Sequence, residues 1–95
     1  MKVLDITEKL SFDGKPKIKV KDYEIEINND AITVLSIMEL LGDDASSQDM
    51  ARAAKILFGE EGYKKIAELK LSFKDFNVLL DAAIELATGD ETTGE

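Results

Sequence analysis

The chain has 95 residues and a formal net charge of −8, from 12 basic and 20 acidic residues, with no Cys and no His. That composition excludes a disulfide scaffold, thiolate or imidazole catalysis and an ordinary zinc site. It also argues against nucleic acid and anionic membranes as partners, because both are recognised by clustered Lys and Arg.

The chain is long enough for one domain, expected over residues 1–89. A domain of this size buries only about 60–65% of its unfolded surface, so its core is small. Residues 1–29 carry six Lys and six acids, whereas residues 30–95 carry six basic and fourteen acidic residues. The acidity therefore belongs to the second part, where it keeps helical surface soluble. The start, MKVLDITEKL, lacks the apolar stretch of a signal peptide, and no window approaches twenty apolar residues. A cytoplasmic location is expected.

The N-terminal third reads as three short antiparallel strands, at about 3–12, 17–21 and 22–28. Leu4, Ile6, Leu10, Phe12, Ile18 and Val20 fall on even positions, with Glu8 as the exception. Tyr23, Ile25 and Ile27 fall on odd ones. Side chains alternate faces along a strand, so the change of parity at Lys21-Asp22 requires a tight hairpin. Asp13-Gly14 marks the earlier turn. Lys17, Lys19 and Lys21 alternate with Glu24 and Glu26 on what reads as a solvated face.

Four helices are expected to follow, giving an α+β fold. Asn28-Asn29-Asp30 caps the first, about 30–41, which Gly42 ends. Ser46 with Asp49 forms a capping box for the second, which runs to Phe58 and stops at Gly59. Glu60 to Lys70 reads as a short third helix, weakened in its first turn by Gly62. Ser72 caps the last, with Asp75 three residues on. Its stripe of Phe76, Leu79, Leu80, Ala83, Ile84 and Ala87 is the clearest amphipathic signal in the chain. Gly89 stops it, and residues 90–95 form a polar tail, expected to be disordered.

Motifs for chemistry are absent. There is no Gly-rich phosphate loop. Asp43-Asp44 and Glu60-Glu61 lie at loops or helix starts, where acids complement the helix dipole. A calcium loop counted from Asp43 puts Ala45, Ser47 and Ala54 at ligand positions, so it fails. An acyl carrier protein would need an Asp-Ser-Leu motif, which Ser46-Ser47-Gln48 does not supply. No enzymatic activity, metal or cofactor is expected.

What remains is surface for proteins. In ITVLSIMELL, residues 32–41, seven of ten residues are apolar, and Thr33, Ser36 and Glu39 form a narrow polar stripe. A helix covering one face of a small domain needs less apolar surface than this. Either it is wedged centrally between the sheet and the other helices, or one face closes the core and another meets a partner. On either reading the polar stripe should face water. Candidate protein-binding residues are Ile32, Leu35, Ile37, Met38 and Leu41 on this helix, with Met50, Phe73 and Phe76 beyond it. Methionines suit a surface that must adapt to varied partners.

YEIEIN leading into a helix, then LFGEEGYKKI, then LSFKDFNVLLDAAIELATG, resembles the tail assembly chaperones of long-tailed phages and prophages of Gram-positive bacteria. The resemblance spans roughly Tyr23 to Gly89 and rests on the order of elements. It implies a non-enzymatic, self-associating protein that holds the tape measure protein soluble in the host cytoplasm until tube subunits polymerise around it, and that is absent from the finished virion. In many relatives a frameshifted longer product is thought to recruit the tail tube protein. The alternative is a small structural or adaptor subunit retained in the particle, of the head–tail connector type.

Overall fold

The computed structural model describes residues 2–12 and 14–89. It is α+β: a two-stranded antiparallel sheet followed by three helices. β1 is Lys17–Val20, β2 is Tyr23–Glu26, α1 is Ala31–Leu40, α2 is Ser47–Leu69 and α3 is Phe73–Thr88. The expected tail at 90–95 lies outside the described residues, as does Asp13 of the first turn.

The hairpin forms where the parity changes. Lys21 takes the left-handed conformation (φ 55°) that reverses the chain. The register pairs Lys17 with Glu26, Ile18 with Ile25, Lys19 with Glu24 and Val20 with Tyr23. Charges therefore oppose one another on one face and apolar side chains on the other. The ion pair itself is diagonal, with Lys17 Nζ 3.7 Å from Glu24 Oε1. Both groups are exposed, so it is worth at most about 1 kcal/mol. Lys21 lies in the turn rather than on the charged face.

The first expected strand is not formed. All of residues 2–12 are exposed, and their one regular feature is a 3-10 turn at Thr7–Lys9. The Asp5 carboxylate accepts from both the N–H and the hydroxyl of Thr7, which holds its pKa below the usual range and favours a local turn over a ladder. This turn falls beside Glu8, where the apolar alternation broke. Instead of a strand, the segment is an arm whose hydrogen bonds, among the described residues, are all local.

Three helices replace the expected four, because the second and third join. α2 runs as one element across position 59, yet Gly59 itself is not helical (φ 71°, ψ 175°) and kinks it. The break comes where it was expected, but as a kink within one element. The strand end is fitted into it. Asn28 donates its side-chain amide to the Ile56 carbonyl (2.8 Å) and its N–H to the Leu57 carbonyl (2.9 Å). Just beyond, Gly62 is buried against the hairpin: a Cβ there would lie 3.0 Å from Ile25 Cγ2 and from Phe58 Cβ. Glycine at 62 thus allows a close approach of hairpin and helix, although its own backbone is helical.

The caps form as their residue types dictate. Asp30 accepts from the Thr33 N–H (3.1 Å) and hydroxyl (2.9 Å). Ser46 and Asp49 make a reciprocal capping box, and Ser72 accepts from the Asp75 N–H. Gly89 closes α3 in the left-handed region (φ 81°). Gly42 does not play that part for α1, which closes at Leu41 through its N–H to the Ile37 carbonyl (2.9 Å).

The core is wholly apolar, and no buried polar residue occurs among the described residues. Ile25 and Ile27 from the strand end, Ile37 from α1, Leu57 from α2 and Leu80 from α3 meet at its centre. The hairpin packs on α2, while α1 packs on α2 and α3. The hairpin is tied to the second half of α2 by Tyr23 Oη donating to Glu68 (2.9 Å) and Lys65 Nζ donating to the Glu24 carbonyl (2.9 Å). The Glu68 carboxylate holds the Tyr23 phenol protonated, with its pKa above the ordinary value. No helix among the described residues is long and apolar enough to cross a membrane.

Candidate protein-binding surfaces

α1 is not wedged centrally. Ile37 is 3% exposed, and Val34, Leu40 and Leu41 are half-buried against the core. On the opposite side Ile32, Leu35 and Met38 are 73%, 61% and 58% exposed. At 100° per residue, Leu35 sits in the middle of the outward arc, flanked by Met38 and Ile32. Spaced three apart, they form one apolar row along the helix.

The polar stripe was expected on that outward face, and only Glu39 is found there. Thr33 and Ser36 are half-buried instead. Their hydroxyls need no water: Thr33 Oγ1 donates to Asp30, and Ser36 Oγ donates to the Ile32 carbonyl at 3.0 Å. A hydroxyl satisfied by its own helix can turn toward the body. That rotation places Leu35, rather than Ser36, in water.

A second apolar surface lies between α2 and the start of α3. It is a groove of about 420 Å³. Met50 and Ala51 from the first turns of α2 face Tyr63 and Ala67 from its second half, across from Phe76. Phe73 stands at the groove 69% exposed, and Lys70 is the one charged residue lining it. Lys70 has left-handed φ (54°), which turns the chain sharply from α2 into α3 and closes that end.

The eight candidate residues thus divide. Ile32, Leu35 and Met38 form the α1 row. Met50, Phe73 and Phe76 line the groove. Ile37 belongs to the core, and Leu41 packs against it. Tyr63 and Ala67 also line the groove, and their i, i+4 spacing is the sequence signal that places them on one helix face. Leu4 and Phe12, expected on one face of a first strand, are instead exposed on the arm, as is Val3.

A further concavity between the hairpin and α2 mixes Lys15, Lys17 and Lys65 with Glu24, Glu26, Glu60 and Glu61, so it carries both signs of charge. No group of acidic side chains placed to hold a metal ion occurs among the described residues. The two apolar surfaces are therefore the features with a chemical preference, and it is for apolar side chains. No family model, no curated protein and no solved structure matches this chain.

Proposed function

We propose that this chain is a non-enzymatic, self-associating tail assembly chaperone that binds the tape measure protein and keeps it soluble during tail assembly. The observation that carries the reading is the outward row of Ile32, Leu35 and Met38 on α1. A long helical client with apolar stripes needs many small soluble covers, each offering an apolar helix face to the client. An exposed apolar row on a body of net charge −8 matches that need. The resemblance over Tyr23 to Gly89 supplies the client's identity. Longer, frameshifted products would extend beyond Gly89 toward the tail tube protein.

Co-expression with the tape measure gene from the same genome tests the proposal. The client should become soluble and co-purify with this chain. A client that stays insoluble, with no complex recovered, refutes it. Mass spectrometry of purified virions decides against the structural or adaptor alternative if the chain is missing from them.

A further inference from the structure

We propose that the arm, residues 2–12 of one copy, lies in the α2–α3 groove of a second copy. Two unpartnered apolar surfaces carry this inference, one a strap and the other a trough. On the arm, Val3, Leu4 and Phe12 are 82%, 83% and 79% exposed, and no arm residue joins the core. So much exposed apolar side chain on a segment outside the core calls for cover. The groove offers it, since Met50, Tyr63 and Phe76 present apolar surface there and none of the described residues of the same chain fills it.

Geometry favours a second copy over the arm's own groove. The arm leads into β1, and the hairpin packs on Gly62, Lys65 and Glu68 of α2. Tyr63, Ala67 and Lys70 line the groove. At 100° per residue these two sets lie on opposite sides of the same helical segment. The arm thus departs from the side of α2 that faces away from its own groove.

Charge points the same way. Residues 2–12 carry Lys2, Lys9, Asp5 and Glu8, net zero, in a chain of net charge −8. Two acidic bodies repel, and the arm is a part of each that can approach the other without that penalty. Asp5 and Glu8 also offer carboxylates to Lys70, the single charge lining the groove. A reciprocal exchange, in which each arm fills the other groove, doubles the buried surface. An arm this short needs that doubling to approach the roughly 1,200 Å² of a stable interface. If the exchange does not close on itself, the same contact propagates into a ring or filament.

Self-association is the one part of the proposed function that this inference uses, and no client is needed to test it. The chain has no Cys, so engineered thiols report without background. Full-length Leu4→Cys and Ala51→Cys variants, distinguishable by mass, are mixed and mildly oxidised. Both positions are exposed, so folding should be kept, and circular dichroism checks it. A mixed disulfide joining the two variants is expected, and Ala67→Trp, which fills the groove, should abolish it and lower the mass seen by light scattering. A Leu35→Asp change should leave the mixed disulfide intact even where client binding is lost. Three results overturn the proposal: no mixed disulfide; a double-Cys chain that closes only on itself as a monomer; or a mass unaffected by Ala67→Trp.

Discussion

Asp placed at position 35 and at position 37 should have opposite consequences. Leu35 is 61% exposed. Full burial of such a side chain is worth about 1.5–3 kcal/mol, so its buried two-fifths contribute roughly 0.6–1.2 kcal/mol. The poorer helix propensity of Asp adds about 0.5 kcal/mol. Leu35→Asp should therefore cost between about 1 and 2 kcal/mol, out of a total near 5–14 kcal/mol for a domain of this length. At about 4–8 °C per kcal/mol, the melting temperature falls by roughly 5–15 °C and the chain stays folded at 25 °C. Ile37 is 3% exposed and central to the core. Ile37→Asp loses the whole transfer term and places a carboxylate where nothing pairs with it, a further several kcal/mol, so the chain should unfold. Circular dichroism melts of both variants, followed by co-purification with the tape measure protein, make the comparison. Leu35→Asp should melt cooperatively but lose the complex. If it unfolds as Ile37→Asp does, or folds and still binds, the assignment of the outward row to the client is wrong.

Gly59→Ala should lower stability by about 1–3 kcal/mol in urea titration, because φ 71° with ψ 175° is a region open essentially to Gly alone. The cost is conformational, since the new Cβ would meet only Asn28 Nδ2, at an ordinary 3.7 Å. Gly62→Ala should also destabilise, by about 1–3 kcal/mol, although helix propensity alone favours Ala by roughly 1 kcal/mol. Here the 3.0 Å contacts with Ile25 and Phe58 decide the sign, and a raised urea midpoint would show that the hairpin yields. Asp30 has its pKa lowered by the Thr33 hydroxyl and, second, by the Thr33 N–H. Its contribution is complete above the unfolded carboxylate value near 3.9 and is lost as pH falls through the lower folded value. Asp30→Asn keeps a capping oxygen without the titration. Below about pH 4 its melting temperature should fall less steeply than the parent's, and parallel curves would exclude the linkage.

Local signals carried much of this fold. The parity change at Lys21-Asp22, the capping residues Asp30, Ser46 and Ser72, and the break at Gly59 are each decided by one or two residues and their neighbours. The N-terminal strand failed because an apolar alternation needs a partner strand, and the Asp5–Thr7 turn interrupts it at the decisive point. The rotation of α1 departs from its apolar pattern for a related reason. Pattern reasoning sends hydroxyls to water, but Thr33 and Ser36 satisfy theirs within the helix, so packing of Val34 and Ile37 sets the rotation. The groove was legible in its parts, Met50, Tyr63 and Phe76. Its existence depends on the turn at Lys70 that brings the start of α3 beside α2.

The seating of Asn28 in the α2 kink has a consequence for local opening. If the hairpin lifts away, the Ile56 and Leu57 carbonyls lose their donors in the same event, just where Gly59 interrupts the helix. Sheet and helix are thus stitched into one opening unit, although Asn28 and Ile56 lie 28 positions apart in sequence with α1 between them. The Asn28 amide should therefore exchange with solvent deuterium together with the amides of mid-α2, and more slowly than those of the exposed β1 edge.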